Sequence, residues 1–397
     1  MPAQRLTFAS LFSGCGGFDL GFVQEGYVCV AAFDNDPLAV GVYAQNVGKA
    51  ISKQDLAAQF DARSKIGKVD VLIAGPPCQG FSTAGKRDPK DPRNELLLVA
   101  GKIAARVKPR VVVIENVIGV VAGQQRRFWD SLNAVLRSNG YQTAEITFDA
   151  SKMGVAQTRR RKLLFAWNTG AVLDISLPSV PSRVLRDVLI SKGHNNDHDP
   201  QVLTPGTDAA RIASRIRPNQ KLCNVRAGIR SVHTWEIPEV FGVTTSYERS
   251  LLESIIRIRR RDRIRNFGDA DPVTERAIRQ MLGRPVAADL KNLVLKGFIR
   301  RIGNRYDLVH TFNGKFRRLA WDLPAPTVDT RFGQPRYFLH PEENRGFSAR
   351  EAARIQGFPD SFIFDGAVTE QFRLIGNAVP PPVARSIARY IDKALLS

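Results

Sequence analysis

Cys78 stands in the stretch Gly75-Pro76-Pro77-Cys78-Gln79-Gly80-Phe81-Ser82, immediately after the apolar run 69–74. A thiol in a proline-stiffened turn at the carboxyl end of a strand lies where open α/β sheets bind their ligands. Two prolines and a following glycine argue against its burial in a core, so it is a candidate nucleophile if nearby positive charge or a helix terminus favours the thiolate. The next apolar run, Val111-Val112-Val113-Ile114, ends in Glu115-Asn116 and brings a carboxyl group to the same edge. A carboxyl group is costly to bury without a reason, which makes Glu115 a candidate acid. Gln157-Thr158-Arg159-Arg160-Arg161 precedes a further strand, so alternate side chains of this basic run face one way.

A second set of residues suits a carboxylate-bearing nucleoside. Phe12-Ser13-Gly14-Cys15-Gly16-Gly17 follows the first apolar run and opens a helix. Glycines there let the backbone turn tightly, and the N–H groups at the helix start favour an anion. Asp34 ends the second run, and an acid in that position of a doubly wound fold hydrogen-bonds a ribose; capping of the next helix by Asp36 before Pro37 is the plainer use of this cluster. Asp55, farther on, is a candidate acceptor for an adenine amino group, a solvated loop acid being the plainer reading.

These residues need strands that end at one edge. Runs at 6–12, 28–33, 69–74, 111–115 and 163–167 alternate with helical stretches, which predicts an α/β fold with a doubly wound, mostly parallel sheet. The rhythm fades from about 170 to 316, where Pro, Gly, His and Arg become prominent, and the pattern turns helical again from 350 to 396. That arrangement predicts a catalytic and cofactor-binding domain at 1–169 completed by 340–397, and a second, smaller domain at 170–339. The 397 residues carry a formal net charge of +20, and a charge of that sign and size points to a polyanionic partner. Four scattered cysteines show neither a disulfide framework nor metal-ligand spacing, so no metal is expected. The N-terminal run is broken too soon for a signal peptide or a membrane span, and a soluble cytoplasmic protein is expected.

Taken together, the motifs around residues 12–17, 75–82, 115–117 and 157–161, with Arg354-Ile355-Gln356-Gly357-Phe358-Pro359 and Gly376-Asn377-Ala378-Val379-Pro380, resemble the DNA cytosine-5 methyltransferase family and occur in its order. Asp34 departs from the glutamate usual in the family. The resemblance implies a class I methyltransferase fold, S-adenosyl-L-methionine as cofactor, S-adenosyl-L-homocysteine as product, and double-stranded DNA as partner of a chain acting as a monomer. It implies that Cys78 adds to C6 of a flipped-out cytosine while Glu115 holds a proton for N3. Arg161 would contact the cytosine O2 and Arg159 would support the site or a phosphate, an assignment open to exchange. Phe12, Ser13, Gly14, Cys15, Gly16, Gly17, Asp34, Asn35, Asp55, Pro77, Asn377 and Val379 would form the cofactor pocket. Gln79, Ser82 and Arg93, in and after a loop with Gly80 and Gly85 that closes over the substrate, would touch DNA. A restriction partner, phage defence or an orphan role are all compatible with the family. The alternatives are a tRNA cytosine-5 methyltransferase, against which the long middle domain and the lack of a Cys-Phe-Thr tripeptide stand, and a non-catalytic DNA-binding protein of the same fold.

The middle domain is expected to read the target sequence. Asp271-Pro272 would start one helix, Leu282-Gly283-Arg284-Pro285 would break it, and 286–296 would form a second. Gly303-Asn304 between 297–302 and 305–308 predicts a hairpin, which makes 271–309 a winged-helix element. Just upstream, Arg257, Arg259, Arg260, Arg261, Arg263 and Arg265 form a basic run. Arg259, Arg260 and Arg261 are expected to meet DNA phosphates, although a solvated helix face is the plainer reading.

Overall fold

The computed structural model describes residues 5–57, 60–77, 91–170, 175, 177–189, 198–226, 228–263 and 271–393. It divides into two compact units: residues 1–198, 322–330 and 349–397 form one, and residues 199–321 and 331–348 form the other.

The first unit is built on strands β1 (Thr7–Leu11), β2 (Val28–Asp34), β3 (Ile51–Lys53), β4 (Val71–Ala74), β5 (Val111–Val117), β6 (Gln142–Asp149), the short β7 (Gln157–Thr158) and β8 (Arg160–Trp167). Seven of these make one sheet in the order β3-β2-β1-β4-β5-β8-β6. β1 to β5 run parallel to one another, and β8 is antiparallel to both β5 and β6. The sheet is therefore the doubly wound, mostly parallel one expected. Alternation along the strands splits the core into two faces. Leu72, Ala74, Val112 and Ile114 pack with Trp129 and Leu132 on one side. Val71, Ile73, Val111 and Val113 pack with Phe165, Val383 and Ile387 on the other. Burial on both sides explains why β4 and β5 read as continuous apolar runs rather than alternating ones.

Helices α1 (Gly17–Gln24), α2 (Pro37–Asn46), α3 (Ala62–Ile66), α4 (Leu96–Val107) and α5 (Arg126–Ser138) belong to this unit. Strand order reverses at β1, with β2 on one side and β4 on the other, so the crevice beyond their carboxyl ends is the topological switch point where such sheets bind ligands. The unit is closed by α6 (Leu185–Leu189) and by the last segment of the chain.

The second unit contains α7 (Asp208–Arg215), α8 (Pro238–Phe241), α9 (Ser246–Arg261), α10 (Glu275–Leu282) and α11 (Ala287–Leu295), and the chain then returns to the first with α12 (Ala349–Gln356), α13 (Val368–Asn377) and α14 (Pro381–Ile391). Its strands β9 (Lys221–Cys223), β10 (Ser231–Val232) and β14 (Asn313–Lys315) form one small sheet. Strands β11 (Val273–Thr274), β12 (Ile299–Ile302) and β13 (Arg305–Leu308) form another in the order β11-β13-β12. α9, α10 and α11 bury Leu252, Ile255, Ile278, Leu290 and Leu293 against Phe298 and Tyr306 of the hairpin. α10 starts at Glu275 rather than at Asp271-Pro272. Residues 273–274 pair with β13, and the Thr274 side chain caps the helix by accepting from the Ala277 N–H.

Candidate active site at the switch point

The turn between β1 and α1 is held in unusual backbone conformations. Gly14 and Gly16 have φ of 55° and 93°, and Phe12, which has a side chain, has φ of 55°. A non-glycine residue in the left-handed region costs free energy that the surroundings must offset, and such positions gather at functional sites. At Gly16 a Cβ would lie 2.7 Å from Tyr43 and Val47, so no other residue fits there. At Gly14 a Cβ would meet nothing within 4 Å, which leaves open space over the turn. Asp34 at the end of β2 closes the turn: its Oδ2 accepts from the Gly14 N–H at 2.8 Å and its Oδ1 from the Asp36 N–H at 2.9 Å. Burial pushes the Asp34 carboxyl above the ordinary range. Asn35 is exposed, while Asp36 caps α2 through the Leu38 N–H. An open space above glycine, flanked by a half-buried acid and the uncapped start of α1, suits the amino-acid and ribose moieties of S-adenosylmethionine.

Other members of the predicted cofactor set have structural duties. The Cys15 thiol is buried, reaches the Leu374 carbonyl at 3.7 Å, and is pushed up to about 12 by its desolvation. It is inert near neutral pH. A Cβ at Gly17 would stand 2.5 Å from the Val379 carbonyl oxygen, so this glycine lets the C-terminal segment cross the start of α1. The Val379 side chain packs in the core with Phe18 and Val383, and Asn377 is exposed. Asp55 is also exposed, and its carboxylate accepts from the Ala57 N–H at 2.9 Å.

A network under the turn was not read from the sequence. Asp19, fully buried, accepts from Ser10 Oγ and Tyr43 Oη, both at 2.9 Å. Ser13 Oγ in turn donates to Ser10 Oγ, tying the cofactor turn to this acid. The signal was an acid inside the apolar run Gly17-Phe18-Asp19-Leu20-Gly21-Phe22. Burial raises the Asp19 carboxyl to about 7, against the lowering effect of its two hydroxyl donors. Between the unfolded value near 4 and about 7 the folded state holds the proton that the unfolded chain has lost, so this group makes stability fall as pH rises through that window. Asp19→Asn should therefore gain stability relative to the parent as pH moves from 4 to 8, read as the difference between their denaturant midpoints. A pH-independent difference would remove Asp19 from this linkage.

The acid and the arginines meet on β5 and β8. Val117 pairs with Arg161 across the antiparallel ladder and Glu115 with Leu163, which makes Glu115 and Arg161 diagonal neighbours. Arg161 Nε lies 3.1 Å from Glu115 Oε1, and the two side chains are only 14 % and 12 % exposed. Asn116, buried beside them, donates from Nδ2 to the Pro76 carbonyl at 3.2 Å and so fixes the turn that leads through Pro77 toward Cys78. Cys78, Gln79, Gly80, Ser82 and Gly85 lie outside the described residues. Arg93 follows them in a short 3-10 turn, half exposed, with Nη2 2.6 Å from Asp91.

The structure separates the two arginines that the sequence left exchangeable. Arg159 is 2 % exposed and donates to the carbonyls of Gly376 and Ala378, each at 3.1 Å. Gln356 donates to the same Ala378 carbonyl at 2.9 Å and is itself bonded to Gln157. Arg159 thus holds the segment 376–380 and is spent on protein carbonyls, whereas Arg161 faces the acid.

In the second unit the basic run divides as well. Arg260 and Arg261 are exposed, Arg261 being paired with Asp262 at 2.6 Å. Arg259 is a correction to the expected phosphate contacts: its side chain is 1 % exposed and lies 3.5 Å from the buried Asp307 of β13. The helical repeat puts that position on the face of Ile255 and Ile256 and into the core, where no phosphate reaches it.

Comparison with known proteins agrees with this geometry. The model of the family described as C-5 cytosine-specific DNA methylase matches residues 6–393. The Type II methyltransferase M.AgeI of Thalassovita gelatinovora is 30 % identical over 97 % of this chain and 99 % of its own. The Type II methyltransferase M.DdeI of Desulfomicrobium norvegicum is 29 % identical over 98 % of this chain and 88 % of its own. Among solved structures, the Dnmt2 methyltransferase of S. pombe superposes with a TM-score of 0.58 at 16 % identity, covering 98 % of this chain and 99 % of its own, a likeness of fold. No described helix is long and apolar enough to cross a membrane, and no metal-binding group of His, Cys, Asp and Glu occurs among the described residues. With its switch-point turn, its Glu115–Arg161 pair and a family match that runs almost end to end, the chain belongs to the C-5 cytosine-specific DNA methylase family and is a DNA cytosine-5 methyltransferase.

Proposed function

We propose that the protein methylates C5 of a cytosine turned out of a specific duplex sequence, with Cys78 bonded to C6 during the transfer. The observation that carries this reading is the Glu115–Arg161 pair beside the turn that Asn116 ties down directly ahead of Cys78. The base must leave the stack because C5 and C6 are shielded within the duplex. The Cys78 thiolate forms the S–C6 bond while Glu115 gives a proton to N3, and C5 becomes nucleophilic. S-adenosylmethionine supplies an electrophilic methyl group on its sulfonium. Loss of the C5 proton to a base, breaking of the S–C6 bond and return of the N3 proton restore the thiolate and Glu115. Arg161 orients Glu115 and faces the cytosine O2, and Arg159 keeps residues 376–380 at the pocket rim. Phe12 stacks on the adenine and Asp34 accepts from the ribose, with Ser13, Gly14, Asn35, Asp55 and Pro77 around them.

The second unit reads the target sequence, and the exposed Arg257, Arg260 and Arg261 of α9 support contact with backbone phosphates. The likeness to Type II methyltransferases supports a cytoplasmic role in protecting DNA from a restriction partner. The deciding test uses duplexes with 5-fluorocytosine at a target first mapped by methylation-sensitive sequencing. Fluorine cannot leave C5 as a proton does, so a protein–DNA adduct that survives denaturation is expected, and tRNA should not be methylated. Absence of the adduct at a site that is methylated in the normal duplex would falsify the covalent route.

A further inference from the structure

Helix α11 turns two different faces to its surroundings. Leu290 and Leu293 enter the core with Phe298 and Ile299, while Ala288, Lys291, Asn292 and Leu295 share the outward face at helical spacing. Leu295 is 77 % exposed and gives this face a large apolar side chain. The turn after α10 leads into this helix, and a hollow of about 450 Å³ there is lined by Arg276, Arg279, Gln280, Gly283, Arg284 and Pro285. Arg276 and Arg279 are exposed there, and Arg284 stacks over the Tyr247 ring. The β12–β13 hairpin follows the helix in the chain, with exposed Arg301 and Arg305 flanking Gly303-Asn304, and Gly303 at a φ of 60°. Two acidic groups of this element are withdrawn: Asp307 is buried between Arg259 and Arg300, and Asp289 is half-buried beside Arg284.

We propose that α11 is the element that reads base edges in the major groove of duplex DNA, with Arg276 and Arg279 on backbone phosphates and the hairpin tip against the adjoining backbone. This rests on the reading of the chain as a duplex DNA methyltransferase and names the helix that gives it sequence preference. A helix is 10–12 Å across with its side chains, the width that the major groove admits. The outward face carries small, amide, cationic and apolar groups in one patch. Asn292 has the donor and acceptor to take adenine bidentately, Lys291 can donate to guanine, and Leu295 offers an apolar contact for a thymine methyl.

The test is a binding selection from a randomised duplex pool, sequenced for the full-length parent and for Asn292→Ala, Lys291→Ala and the double variant Arg276→Gln/Arg279→Gln. These side chains are exposed, and cofactor affinity and the melting profile report that each variant is folded. Asn292→Ala is expected to lower preference for one base at one position of the site by roughly 10- to 100-fold and to leave the other positions alone. The arginine pair should weaken all sequences alike and reduce the slope of log affinity against log salt by about one for each phosphate no longer neutralised. A parental profile retained by both Asn292→Ala and Lys291→Ala, or a uniform loss without change of profile, overturns the assignment. The binding profile is read without turnover, so a parent that selects a duplex site but transfers no methyl group sinks the catalytic reading and not this one.

Discussion

Cys78→Ser is expected to bring methyl transfer down to the no-enzyme background while binding of the duplex target and of the cofactor survives. The substitution removes one polarisable nucleophile and puts a hydroxyl in its place, which near neutral pH is almost wholly protonated and cannot add to C6 at a useful rate. The turn before it needs no thiol to form, because Pro76 and Pro77 restrict the backbone and the Asn116 side chain holds the Pro76 carbonyl. Steady-state incorporation of labelled methyl groups and a mobility-shift titration on the same duplex check both halves. Turnover within tenfold of the parent would sink the covalent mechanism.

Glu115→Gln is expected to slow transfer by about 10²-fold or more, the usual contribution of a positioned acid or base. Glutamine keeps the shape and cannot deliver the proton to N3. The same change removes the carboxyl group that Arg161 faces at 3.1 Å in a nearly buried setting, so a lower melting temperature should accompany the loss of rate. Single-turnover kinetics separate the two effects: the chemical step slows at temperatures where the variant remains folded, and cofactor affinity stays near the parental value. An affinity for S-adenosylmethionine that drops in proportion to the rate would make Glu115 a structural residue.

Much of the first unit was legible in its residues because a sheet buried on both faces demands apolar runs that break at turns. Runs at 28–33 and 111–115 correspond to β2 and β5, and the Gly-Pro and Gly-rich stretches mark the carboxyl ends of β4 and β1. β6, Gln142–Asp149, was missed. It lies at the sheet edge, and its mixed Gln-Thr-Ala-Glu-Ile-Thr-Phe-Asp sequence carries no continuous apolar signal. Asp19 was legible in principle as an acid within an apolar helix start, and its partners Ser10 and Tyr43 were not, since they come from another strand and another helix.

By itself the sequence determined the residue types at the site, their order along the chain, the α/β class and the strongly basic net charge, since local pattern and composition carry these. Tertiary structure alone decided the reversal of strand order at β1, the antiparallel entry of β8 that sets Arg161 rather than Arg159 beside Glu115, and the use of Gly17 to admit Val379. It also decided that Arg259 is a core ion pair while Arg260 and Arg261 are surface charges. The physical reason is the same in each case. Adjacent arginines are chemically identical in a sequence, and the direction each points depends on which distant strand or helix covers that side of the backbone.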